Sequence, residues 1–150
     1  MIPPLRRALL LSALALTLGA LSASSADLAI SPVVHNWGEA FFSAKEGYHT
    51  YTLRGSEMKP VGKQQVDVKD LSIIVWSGDA LAKVDTTIVS PEATFLLDKK
   101  YAYGKKAVRV VRDDFDVTGD DWTYDLAQKK VSIASHTRVV FKATMPDILK

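Results

Sequence analysis

The chain has 150 residues, 47% of them hydrophobic and 24% charged, with no cysteine and a formal net charge of +2. That length suits one small globular domain, which excludes a two-domain organisation, and the missing cysteine excludes a disulfide framework and thiolate metal sites. These averages join two unlike pieces.

Residues 1–26 follow the plan of a secretory signal peptide. Arg6 and Arg7 precede an uncharged apolar run over residues 8–21, and Ser22-Ala23-Ser24-Ser25-Ala26 supplies small residues for cleavage after Ala26. The alternative is an uncleaved N-terminal membrane anchor, for which the run is short, since a span takes roughly 20 apolar residues. No cysteine stands near the cut, which excludes lipoprotein processing. Removing this segment, with Arg6 and Arg7 in it, leaves residues 27–150 as a domain of 124 residues carrying 17 basic and 17 acidic side chains. A neutral domain exerts no global field on nucleic acid, and no stretch interleaves aromatic residues with a dense basic run, so nucleic-acid binding is set aside.

Residues 29–42 lack clean alternation; the sequence leaves residues 27–40 unassigned and allows a short helical turn near residues 37–42. From Tyr48 onward apolar residues recur at every second position, the period of a half-buried strand. The runs centre on Leu71, Ile73 and Val75; Val84, Thr86 and Ile88; Phe95 and Leu97; Val108 and Val110; Phe115 and Val117; Trp122, Tyr124 and Leu126; Val131 and Ile133; and residues 138–141. Turn chemistry falls between them at Lys59-Pro60-Val61-Gly62, Ser77-Gly78-Asp79, Ser90-Pro91, Asp98-Lys99-Lys100, Tyr103-Gly104-Lys105, Thr118-Gly119-Asp120 and Ala127-Gln128-Lys129. Strands broken about every 8–12 residues predict an all-β sandwich or barrel-like fold.

Few constellations carry chemistry. His35, His49 and His136 lie too far apart in sequence for a metal site on one element. Neither a Gly-x-Ser-x-Gly elbow nor a phosphate-cradling glycine loop is present. No nucleophile, base and orienting group can be nominated together, so an enzyme is not expected. The acidic run over residues 113–121 partly matches a calcium-binding loop, but Asp125 replaces the bidentate glutamate and the flanks alternate; a β-hairpin turning at Thr118-Gly119-Asp120 fits better. Lys99, Lys100, Lys105, Lys106, Arg109 and Arg112 cluster around two turns, either as a solvated rim or as a site for anionic head groups beside an apolar groove. The large apolar residues suit a packed core and a lipid-accepting groove equally, because burial of apolar surface is non-directional.

Residues 104–141, GKKAVRVVRDDFDVTGDDWTYDLAQKKVSIASHTRVVF, contain an x-V-x-V strand, Phe115-Asp116-Val117, then Gly119-Asp120-Asp121-Trp122-Thr123-Tyr124-Asp125, a Val-x-Ile strand and a closing Arg-Val-Val-Phe. This order resembles the repeating unit of the lipopolysaccharide transport proteins LptA and LptC and the related OstA-like domains, and residues 48–97 look like the earlier strands of an LptC-type domain. The resemblance covers roughly residues 41–141. It implies a twisted, open β-jellyroll (OstA-like) of short antiparallel strands in the periplasm, without catalytic residues or cofactor. The implied ligand is lipopolysaccharide, passed from the inner-membrane ABC transporter toward the outer membrane with its acyl chains in the apolar interior. The implied partners are other Lpt components, paired through edge strands, with head-to-tail association among copies. LptC proteins usually keep an N-terminal membrane helix, whereas the short apolar run here suits cleavage, as in LptA, so both roles stay open.

The inward-facing set, read as lining candidates, is Ile73, Val75, Val84, Ile88, Phe95, Leu97, Val108, Val110, Phe115, Val117, Trp122, Tyr124, Val131, Ile133, Val139 and Phe141. The head-group candidates are Lys99, Lys100, Lys105, Lys106 and Arg109. The competing expectation is an exported β-sandwich that binds protein, with a dry core and no lipid ligand.

Overall fold

The period-two patterning is realised as eight antiparallel strands: β1 (Val34–Phe42), β2 (His49–Pro60), β3 (Gln65–Trp76), β4 (Val84–Leu96), β5 (Tyr101–Gly104), β6 (Val108–Val111), β7 (Phe115–Asp125) and β8 (Lys130–Phe141). The computed structural model describes residues 32–142; the signal-peptide segment lies outside them, as do residues 27–31 and 143–150. Among the described residues the chain is all-β, without a helix.

Apart from β5 and β6, which do not pair with each other, each strand pairs with its sequence neighbours, so the sheet is a meander. Strands β5 and β6 share one place in it. Both lie between β4 and β7, β5 pairing with β4 near Phe95 and β6 pairing with it near Ile88. The strands at the two margins, β1 and β8, are each paired on one side only among the described residues.

Five of the strands run for 11 to 13 residues, longer than the turn signals predict, because several of those signals mark bends inside a strand. Ser90-Pro91 lies within β4 and Thr118-Gly119-Asp120 within β7; neither reverses the chain. Tyr103-Gly104-Lys105 interrupts the shared β5/β6 rung without reversing it. Residues 37–42, where the sequence allowed a short helical turn, are part of β1. Glycine, proline, asparagine and aspartate serve turns and strand kinks for the same backbone reasons, so composition alone does not separate the two.

The bends line up across the sheet. Asn36, Asp70, Asp121 and His136 take left-handed backbone angles, with φ of 51°, 50°, 57° and 51°. Asp70 stands opposite Pro91, since the pairs on either side are Lys69 with Glu92 and Leu71 with Ser90. Each bend flips the inward phase. In β3 the buried residues are Val66 and Val68 before Asp70, then Leu71, Ile73 and Val75 after it. In β4 they are Thr86, Ile88 and Ser90 before Pro91, then Ala93 and Phe95. In β7 they pass from Gly119 to Trp122 and Tyr124.

The sheet therefore doubles over along this line, as strands do when they cross from one layer of a sandwich to the other through bends. One layer brings Tyr51, Leu53, Leu71, Ile73, Val75, Ile88, Val108 and Val110 to the core. The other brings Val66, Val68, Ala93, Phe95, Ala102, Trp122, Tyr124 and Leu126. Fully burying each large side chain among these contributes about 1.5–3 kcal/mol, enough for a core without disulfides.

Candidate functional site

The inner apolar surface differs at its two ends. At one end Phe41, Tyr51 and Val75 meet Tyr124 and Leu126 around a hollow of about 350 Å³ that Lys100 and Lys129 overhang. Phe41 and Tyr51 stack there with ring centroids 4.3 Å apart. Burial, with a smaller contribution from Asp85, pushes the Tyr124 phenol up to about 12, and burial likewise raises that of Tyr51. Both hydroxyls stay neutral across the physiological range.

Near the far margin the inner surface is uncovered. Phe115 and Val117 on β7 pack against the core, and their cross-strand partners on β8 are Phe141 and Val139. Cross-strand partners share a face. Yet Val139 is 45% exposed and Phe141 75%. An apolar ladder thus leaves the core and continues into solvent along the last strand.

Of the lining candidates, Ile73, Val75, Ile88, Phe95, Val108, Val110, Trp122 and Tyr124 are buried, and Phe115, Val117, Val131 and Ile133 pack half-buried against them. Four are exposed instead of buried. Val84 and Leu97 are 42% and 36% exposed, because Val84 opens β4 and Leu97 lies just past its end, where the opposite layer no longer covers them. Val139 and Phe141 are exposed for the same reason at the end of β8. Leu53, Val66, Val68 and Leu71, absent from that set, are buried. The skipped beat at Asp70, between Val68 and Leu71, is the signal that places the three on β3.

Trp122 carries the one buried side-chain donor among the described residues with no acceptor in reach, its indole Nε1. Gly104 makes room for that ring, since a Cβ there would stand 2.8 Å from Nε1. An unpaired buried N–H costs about 1–3 kcal/mol and is a ready donor to any polar group entering the layer.

The head-group candidates do not form one site. Lys100 overhangs the inner hollow and Lys99 lies in the β4–β5 turn. Lys105 and Lys106 line an outer groove of about 790 Å³ with Lys59, Lys69, Glu57 and Glu92. Lys106 pairs with Glu92 at 2.8 Å and Lys69 with Glu57 at 2.7 Å, so cations and carboxylates there largely cancel. Arg109 is engaged elsewhere: its Nε donates to both carboxylate oxygens of Asp116 at 3.1 Å, which holds the Asp116 carboxyl below its ordinary value and raises Arg109. The sequence cluster is dispersed because β5 and β6 pass on to different parts of the sheet.

A further outer hollow of about 640 Å³ crosses the line of bends, with Val89 and Pro91 in its floor and Asp70, Asp120 and His136 at its rim. Here Asp120 accepts from or pairs with His136 Nδ1 at 3.0 Å. The acidic run is spread along β7 instead of closing a loop, and no group of three potential metal ligands occurs among the described residues.

No protein-family model matches the chain, and no curated protein matches it.

Proposed function

We propose that the chain is an exported, non-enzymatic lipopolysaccharide-binding domain of the LptC/LptA type, which passes its ligand through the periplasm from the inner-membrane transporter toward the outer membrane. The observation that carries this reading is the apolar ladder of Phe115, Val117, Val139 and Phe141, which runs from the sealed core into solvent on the core-facing side of the last strand. An acyl chain laid on it would bury apolar area at about 25 cal/mol per Å² without needing a specific partner atom. Two further features support the reading. Among the described residues, β1 and β8 are each paired on one side only, which leaves an edge for strand addition by another component or copy. The indole N–H of Trp122 offers a donor to an acyl carbonyl within the layer.

Mass spectrometry of lipid extracted from the purified protein tests the proposal, together with photo-crosslinking from Phe115 and Phe141. Co-purified lipopolysaccharide and its labelling from both positions are expected. Lipid-free protein whose crosslinks reach only other proteins would overturn the carrier reading.

A second reading, an exported protein-interaction sandwich with a dry core, is favoured by the completeness of burial at Leu53, Ile73 and Ile88, which are wholly sealed. It predicts the lipid-free result.

A further inference from the structure

The inner hollow beside Phe41 and Tyr51 has a chemistry of its own. The β4–β5 and β7–β8 turns stand side by side at its mouth, because the Leu126 backbone N–H donates to the Lys100 carbonyl at 3.0 Å. Lys100 and Lys129, one from each turn, are therefore held at the same opening, and they are the only charged side chains in its lining. Neither is engaged in an ion pair among the described residues. The carboxylates nearby are placed elsewhere. Asp125 alternates with the buried Tyr124 and so faces outward, where its Oδ1 accepts from the Gln128 backbone N–H at 2.9 Å. Glu39 and Asp85 act on the two phenols from beyond the lining, and Asp85 accepts from the Thr86 hydroxyl at 2.9 Å.

The neutral polar groups select in the same direction. Tyr51 and Tyr124 line the hollow and are each more than nine-tenths buried, yet neither hydroxyl has a hydrogen-bond partner among the described residues. Trp122 Nε1 is the one sealed side-chain polar atom left without a partner there, so both phenol oxygens keep an opening, and the hollow that both rings line supplies it. The other two hydroxyls are already used: Thr50 Oγ1 donates to the Phe41 carbonyl at 2.9 Å, and Ser43 Oγ accepts from the Tyr48 backbone N–H at 3.0 Å. Two ammonium groups and two phenols thus offer donors above a floor of Phe41, Val75 and Leu126, with no carboxylate in the lining to receive them. An occupant that satisfies this set brings an oxyanion and an apolar body. At about 30 Å³ for each water-sized group, the 350 Å³ of the hollow holds about a dozen non-hydrogen atoms, which is one short chain with its head and not a lipid of several chains.

We propose that this hollow binds a single medium-chain fatty acid, with its carboxylate between Lys100 and Lys129, the phenols of Tyr51 and Tyr124 as further donors, and its chain laid on Phe41, Val75 and Leu126. The proposal does not rest on the carrier reading: lipid-free purified protein would sink that reading and leave the binding of added fatty acid untouched.

Calorimetric titration of decanoate, an anion of that size, into the full chain tests it, with decyltrimethylammonium as the same chain under the opposite charge. Saturable binding of one decanoate per chain is expected, tighter than that of the ammonium compound by about tenfold or more and weakened by raised salt. Lys100 and Lys129 take left-handed backbone angles, φ 49° and 52°, which asparagine tolerates, so Lys100→Asn with Lys129→Asn removes both charges and keeps the turns. That pair should lose about tenfold or more in affinity. Lys99→Asn with Lys130→Asn makes the same charge change beside the same turns but outside the lining, and should stay within about twofold. Circular dichroism checks the fold of each variant. Absence of saturable binding, equal affinity for the two amphiphiles, or equal losses in the two lysine pairs overturns the proposal. Affinity for decanoate that falls as protein concentration rises identifies a second copy as the occupant and overturns it too.

Discussion

Gly119→Ala is the sharpest perturbation of this fold, because the sequence reading places Gly119 in an exposed hairpin turn and the structure buries it in the middle of β7. A Cβ at this position would stand 2.4 Å from Ile133 Cγ2, 2.9 Å from the Ser135 carbonyl oxygen and 3.3 Å from Thr137 Cα. Carbon atoms attract best at about 3.5–4.0 Å, so the nearest contact overlaps by about 1 Å. The Ile133 side chain can yield, but the two backbone atoms move only if β8 retreats from β7. Overpacking of this kind costs about 1–3 kcal/mol, and the immobile backbone puts Gly119→Ala near the top of that range. At about 4 °C per kcal/mol, the midpoint of thermal unfolding should fall by about 8–12 °C. Urea titration followed by circular dichroism gives the free energy directly. Gly62→Ala is the control, since a Cβ there meets nothing within 4 Å; it should change stability by less than about 0.5 kcal/mol. Ile133→Ala removes the Cγ2 methyl, and the double variant should recover about 0.5 kcal/mol or more relative to the sum of the single losses. Strict additivity, or a neutral Gly119→Ala, would refute the contact and with it the bend in β7.

At Asp121, where φ is 57°, the β-branched Asp121→Val should lose about 1–2 kcal/mol while Asp121→Gly holds or gains; equal urea midpoints would refute the left-handed backbone. Burial raises the Tyr124 phenol from 10.0 to about 12, so its contribution to stability is complete below pH 10 and is lost as pH rises from 10 toward 12. Unfolding midpoints of the native chain and Tyr124→Phe, compared across that window, should converge at its alkaline end, by at most about 2 kcal/mol; parallel curves would contradict the assignment. Asp116 is held below its ordinary 3.8 by Arg109, so its contribution is present above that value and disappears as pH falls through the lowered one. Arg109→Gln should remove this acid dependence, and an unchanged acid limb would show that Asp116 draws its shift from elsewhere. Phe141→Ser, at an exposed position, should leave stability within about 0.5 kcal/mol while weakening lipid crosslinking from Phe115; destabilisation comparable to a core truncation would place Phe141 inside the fold.

The class of the fold is legible in the order of residues alone. Alternation at Ile73 and Val75, Val108 and Val110, and Trp122 and Tyr124 marks strands whatever their partners, because only a pleated chain puts every second side chain on one face. The turns at Pro60-Val61-Gly62, Ser77-Gly78-Asp79 and Ala127-Gln128-Lys129 were equally plain, since in each the apolar run stops on both sides. Where strands end and where they only bend depends on their pairing. Asp70, Pro91 and Asp121 carry the same local chemistry as turn residues, and the meaning of each lies in the strand beside it: a bend persists when neighbouring strands bend at the same register. Tertiary structure also dispersed the basic cluster, locking Arg109 to Asp116 and Lys106 to Glu92 while Lys100 overhangs the inner hollow. The exposure of Val139 and Phe141 was likewise beyond local reading. Their apolar character and strand phase match those of buried residues, and exposure depends on whether the opposite layer extends far enough to cover them. Period and composition are properties of adjacent residues and survive in the one-dimensional chain, whereas cover is a property of two layers that meet only after the sheet has doubled over.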